Sequence, residues 1–181
     1  MRLIALDTET TGMNKKRMAM ADVAVGHRII EIGAVEIRDG RITGRQFHRY
    51  IEPGCEVDVA ATKIHGLTNE FLEGKPKFED IVEELLDFIG DDEVIIHNAA
   101  FDIAFLDKEF KLLNRRLQPS GKTFIVTDTL SLARSMFPGQ DNTLNGLGDR
   151  YGIEGRTRHG ALIDAIILAK IYLMINKDVF Y

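Results

Sequence analysis

Apolar and polar positions follow one rhythm in the first third of the chain and another in the rest. Residues 2–6 alternate and then run apolar, as a strand buried on both faces does. Residues 29–37 (IIEIGAVEI) are strongly β-branched and predict a central strand. Asp39-Gly40 is a hairpin signal, and residues 41–51 predict a third strand that Pro53-Gly54 ends. The three make an antiparallel meander. Residues 57–72 then read as short and irregular. Residues 78–89 (FEDIVEELLDFI) place apolar side chains at helical spacing behind an acidic outer face. Residues 93–96 predict a short buried strand, and Asn98-Ala99-Ala100 turns the chain into a helix over 101–114. A further strand is expected over 123–127, and helices over 130–136, 144–151 and 161–175, the last of them long and apolar.

Three strands followed by helix–strand–helix–strand predict an α/β fold, a mixed five-stranded sheet flanked by helices. At 181 residues, with no Gly/Ser or Pro linker and no internal repeat, the chain reads as one domain over 1–175 with a short C-terminal tail at 176–181. Composition is that of a soluble globular protein, 45% hydrophobic and 28% charged. No stretch nears the roughly 18 consecutive apolar residues of a membrane span, and the N-terminus enters a strand with a carboxylate, unlike a signal peptide. The single cysteine, Cys55, excludes an internal disulfide framework and suits a reducing cytoplasm. A net charge of −5 argues against coating nucleic acid through a wide basic face, but not against holding a few nucleotides beside bound cations.

The candidate chemistry lies in three places. Asp7 and Glu9, two apart at a strand end, aim two carboxylates the same way. Such a pair is costly unless a cation lies between them, and Mg²⁺ binds through one or two carboxylates; two solvated acids on an exposed strand end is the alternative. Asp102 lies in the first turn of a helix after a buried strand, where it either faces a pocket or merely complements the helix dipole. Asp164 is the one acid in an apolar run (ALIDAIILA), and a charge there is rarely buried without a partner. His159, separated from that helix by Gly160, sits on a loop, either as a surface histidine or as a general base free to approach a carboxylate-bound metal.

Together, Asp-Thr-Glu-Thr-Thr-Gly at 7–12, Ile-His-Asn-Ala-Ala-Phe-Asp at 96–102 and His-Gly-Ala-Leu-Ile-Asp at 159–164 resemble the three exonuclease motifs of the DEDDh superfamily. The likeness covers nearly the whole chain and is closest to the proofreading exonucleases of bacterial replicative polymerases. It implies the ribonuclease-H-like exonuclease fold and 3′→5′ exonuclease activity on DNA ends that are single-stranded or frayed, releasing 5′-mononucleotides. It implies two divalent cations, Mg²⁺ or Mn²⁺, held by Asp7, Glu9, Asp102 and Asp164, with His159 as general base. It further implies a nucleotide pocket from Thr10, Met13, His65 and Phe101, with Ala60 standing where relatives often carry a glutamate, while His97 reads as structural. Relatives of the same superfamily trim RNA or oligonucleotides, and a non-catalytic scaffold would have lost one of these acids. Family members are usually tethered by a C-terminal tail to the DNA polymerase III catalytic subunit. Here the chain ends directly after its last helix, which suits either a catalytic domain parted from its tail or an exonuclease acting alone.

Overall fold

In the computed structural model, which describes residues 1–16, 20–116 and 125–179, the meander is present as expected. β1 (Arg2–Thr10) pairs antiparallel with β2 (Ile29–Arg38), and β2 with β3 (Arg41–Tyr50). The β2–β3 hairpin turns at Asp39-Gly40, whose φ angles of 50° and 75° are those a two-residue turn of this kind demands. β4 (Glu93–Ile96) joins the free edge of β1 in parallel, and β5 (Val126–Asp128) joins β4. The order β3-β2-β1-β4-β5 puts β1 at the centre, which explains its unbroken apolar run.

The described helices are α1 (Val59–His65), α2 (Asn69–Leu72), α3 (Phe78–Ile89), α4 (Ala99–Leu112), α5 (Thr129–Met136), α6 (Leu144–Arg150) and α7 (Ala161–Val179). Alternation along β1 assigns them to layers. Ile4 and Leu6 pack with Leu85 and Ile89 of α3 and with Phe105, Leu106 and Phe110 of α4. Leu3 and Ala5 point the other way, against Ala165, Leu168 and Ala169 of α7. The far side of α7, through Ile167, Ile171 and Ile175, is covered by Ala133 of α5 and Leu147 of α6. A helix covered on two sides has no need of a polar stripe, so α7 reads as apolar nearly all round.

Several boundaries differ from expectation. β1 runs through both acids to Thr10, because pairing with β2 continues until a register shift after Glu9. Residues 57–72 hold α1 and α2, two helices too short to show a period. α4 starts at Ala99, before the expected residue 101, and α7 runs to Val179, beyond residue 175. β5 is confined to 126–128; Thr123 and Phe124 of the expected strand lie outside the described residues. Among the described residues no helix is long and apolar enough to cross a membrane.

One contact fixes where α7 enters. Gly33 lies opposite Asp7 in the β1–β2 ladder, and a Cβ on it would stand 2.2 Å from the backbone nitrogen of Leu162. Only a residue without a side chain lets the first turn of α7 rest on the sheet there.

Candidate active site

Four acids and a histidine converge at the end of the central strand. Asp7 and Glu9 continue the β1 face that carries Leu3 and Ala5, so both look toward α7. The first turn of α7, seated over Gly33, brings Asp164, which is 3% exposed. Asp102 comes from the opposite layer, in the first turn of α4. Thr8, whose side chain shares the face of Ile4 and Leu6, meets it there: Asp102 Oδ1 accepts from the Thr8 backbone N–H at 3.1 Å and from its hydroxyl at 2.7 Å. The turn into α4 is held in shape by Asn98, which has a φ of 67°, and by Asp128 at the end of β5. Asp128 Oδ1 accepts from the backbone N–H groups of Asn98 at 3.0 Å and Ala99 at 3.3 Å. Asparagine tolerates this left-handed geometry better than most residues. His159 stands on the loop before α7, its Nδ1 3.4 Å from Asp164 Oδ2. All five line one cleft of about 950 Å³.

Packing so many acids together has an electrostatic consequence. Burial holds the Asp7 carboxyl well above its ordinary range, and Asp102, Asp164 and Glu9 push it further up. Burial, then Asp164 and Glu31, raise Glu9 to about 8. Burial raises Asp102 to about 7 even against the hydrogen bonds from Thr8. Burial likewise raises Asp164 to about 7, although the Arg156 guanidinium opposes it. These groups cannot all ionise side by side unless a cation is among them. Burial and Arg156 both hold the His159 imidazole below its usual pKa, so at neutral pH the ring is uncharged. Glu9, His159 and Asp164 each offer a ligand atom within 4.8 Å of the others. An oxygen-rich, strained carboxylate set fits a hard divalent cation.

Of the residues expected in the nucleotide pocket, Met13 and Phe101 line the cleft. Thr10 and His65 lie outside its lining. Thr10 is buried and its hydroxyl donates to the Gly12 carbonyl at 2.9 Å. His65, buried at the end of α1, accepts on Nδ1 from the Leu67 N–H at 3.0 Å. Three contributors escaped the sequence reading. Thr8 could have been found, since strand alternation turns the residue between two acids to the opposite face. Glu31, the cross-strand partner of Glu9, is buried beside His48 and gave no signal within its β-branched strand. Arg156, three residues before His159, reaches back to Asp164 and the His159 ring, a reach no local pattern encodes.

The exonuclease (RNase_T) family model matches residues 4–172, which include all three acidic segments, and the chain belongs to that family. Its relatives include DNA polymerase III subunit epsilon of Salmonella typhimurium (strain LT2), 53% identical over 175 residues spanning 95% of this chain and 70% of that protein. The same subunit of Escherichia coli (strain K12) is 51% identical over 175 residues, again 95% of this chain and 70% of the relative. Exonuclease X, solved in complex with 5′ overhanging duplex DNA, matches with a TM-score of 0.73 over 99% of this chain and 93% of its own, at 23% identity. That is a likeness of fold, and the fold is the ribonuclease-H-like one expected. Exonucleases of this family depend on divalent metal.

Proposed function

We propose that this 3′→5′ exonuclease proofreads for a replicative DNA polymerase, associated with the catalytic subunit of DNA polymerase III in the cytoplasm and removing nucleotides singly from single-stranded or frayed DNA 3′ ends. The domain responsible spans residues 1–175. The single observation that supports the reading is the meeting of Asp7, Glu9, Asp102, Asp164 and His159 in one cleft at the end of β1. The carboxylates of Asp7, Glu9 and Asp164, with Asp102 facing them, would hold two ions, Mg²⁺ or Mn²⁺. When bound, such ions lower the pKa of the attacking water and stabilise the leaving 3′-oxygen.

The remaining work falls to the chain's own side chains. Thr8 fixes one oxygen of the Asp102 carboxyl where that residue lines the cleft. His159, neutral and partly solvent-exposed on a loop, accepts the proton of the attacking water and passes it to solvent. Met13 and Phe101 offer an apolar wall to the terminal base, and any base presents a flat face to such a wall. Thr10 acts from beneath, its hydroxyl holding the Gly12 carbonyl, and His65 holds the Leu67 N–H at the end of α1. Mispaired ends are removed preferentially because unpairing them costs less before they enter a single-strand site.

The test is stepwise shortening of 5′-labelled single-stranded DNA. The wild type should release 5′-mononucleotides with Mg²⁺ or Mn²⁺ and none with chelator, and Asp7→Ala should release none under either condition. Full metal-dependent activity in Asp7→Ala would overturn the assignment. Matched DNA and RNA ends run in parallel separate proofreading from RNA trimming.

A further inference from the structure

Arg156 holds a place against the acid cluster that the reaction as described does not explain. Its side chain is only 5% exposed although it belongs to a loop, and Nε forms an ion pair with Asp164 Oδ1. One terminal nitrogen, Nη1, donates to Asn145 Oδ1 at 2.7 Å, and Nη2 lies over the His159 ring, 2.9 Å from Nδ1 and 3.5 Å from Nε2. The same guanidinium offsets the mutual repulsion that Asp7 and Glu9 suffer. It therefore supplies, in the protein without metal, part of the positive charge that the acids require.

We propose that Arg156 is a resident counter-cation of the acid cluster, which divalent metal must displace from Asp164, and that its departure uncovers His159. This rests on the reading of Asp164 as a metal ligand. Because Nη2 lies close to both ring nitrogens, the guanidinium covers the face of the imidazole and pins the ring against Asp164 while Arg156 stays. A divalent ion and a guanidinium cannot share one buried carboxylate without strong repulsion. Occupancy of the metal site and readiness of the base are thereby linked through one side chain, a positioning residue three positions from the histidine it covers.

The experiment is a calorimetric titration of metal-free protein with Mn²⁺, comparing wild type, R156Q, R156K and D164N. Loss of a competing cation should tighten binding in R156Q roughly tenfold, within the usual range of linked equilibria. R156K, which keeps the charge, should stay close to the wild type, and D164N should bind weakly. A structural role for Arg156 would instead loosen binding when it is removed. A Kd in R156Q equal to or weaker than the wild type's overturns this inference alone. Absence of Mn²⁺ uptake by the wild type, or wild-type uptake by D164N, overturns the metal site and the inference together. Tightening in R156K equal to that in R156Q overturns the role of charge. A second measurement needs no variant: the ring nitrogens of His159, followed by long-range ¹H–¹⁵N NMR, should shift as Mg²⁺ saturates the wild type. Unchanged resonances of both ring nitrogens overturn the uncovering.

Discussion

Asp102 shows how far a single neighbour governs a site residue. It is buried between layers, and two donors from Thr8 fall on one oxygen, fixing the carboxyl and drawing its pKa down against the effect of burial. Thr8→Val keeps the shape and the backbone N–H but removes the hydroxyl. Partners that orient a metal-binding group commonly matter by one to two orders of magnitude, so the Mg²⁺ concentration giving half-maximal cleavage should rise about tenfold. Circular dichroism and the melting profile in chelator should stay close to the wild type, because the strand and its ladder are untouched. An unchanged Mg²⁺ requirement would show that the backbone donor suffices. At this scale the sequence was informative where chemistry and spacing coincide. Asp7 and Glu9 announce themselves by period two, and Asp164 by its apolar surroundings. It was silent on Arg156, which a loop folds back, and on Thr10 and His65 lying off the cleft wall, which depends on how the ends of β1 and α1 pack and not on any repeat.

Elements matter here chiefly through where they are allowed to touch. α7 delivers Asp164 and carries the loop of His159 at its head, and it reaches the sheet only because Gly33 leaves room for Leu162. Gly33→Ala needs no unusual backbone angle, so its whole effect is steric. The added methyl would meet main chain, which cannot rotate aside, and the first turn of α7 must lift. Overpacking of this kind costs about 1–3 kcal/mol. In a domain of this size that lowers the Tm by roughly 2–4 °C for each kcal/mol. The more telling readout is kcat, which should fall far more than stability does, because Asp164 moves relative to Asp7 on the facing strand. A variant that melts earlier yet cleaves at the wild-type rate would separate the helix seat from the site. Every strand and every long helix was legible from the hydrophobic pattern. α1 and α2 were not, being too short to establish a period, and the ends of β1 and α7 were set by strand pairing and by burial on two sides, which only the assembled sheet reveals.

Across the whole molecule the two ends of β1 hold opposite kinds of acid, and stability should record both. Beside its start, on β2 opposite Ile4, Glu36 is 1% exposed and surrounded by cations: Arg2, Arg38 and Arg45 reach Oε2, while the Thr43 hydroxyl donates to Oε1 at 2.9 Å. Arg2 above all, then Thr43, draws this carboxyl down to about 2. Its contribution is complete above the ordinary glutamate pKa and disappears as pH falls toward about 2. At the other end the sign reverses. Glu9 is held up at about 8, and Asp102 and Asp164 at about 7, so these acids burden the fold increasingly as pH rises from the ordinary carboxylate range through those values. Metal-free protein should therefore be most stable in mildly acid solution and lose Tm between pH 5 and 8. Saturating Mn²⁺ should remove that decline, because ionised carboxylates are then the favoured form. Glu9→Gln carries the same argument into a variant: the metal-free form at pH 8 should melt higher than the wild type, while exonuclease activity is lost. A strained acid cluster kept for function predicts this opposition of stability and activity. Differential scanning calorimetry across pH, in chelator and in Mn²⁺, measures it directly, and a metal-free Tm that climbs from pH 5 to 8 would mean that the four carboxylates ionise without needing a cation between them.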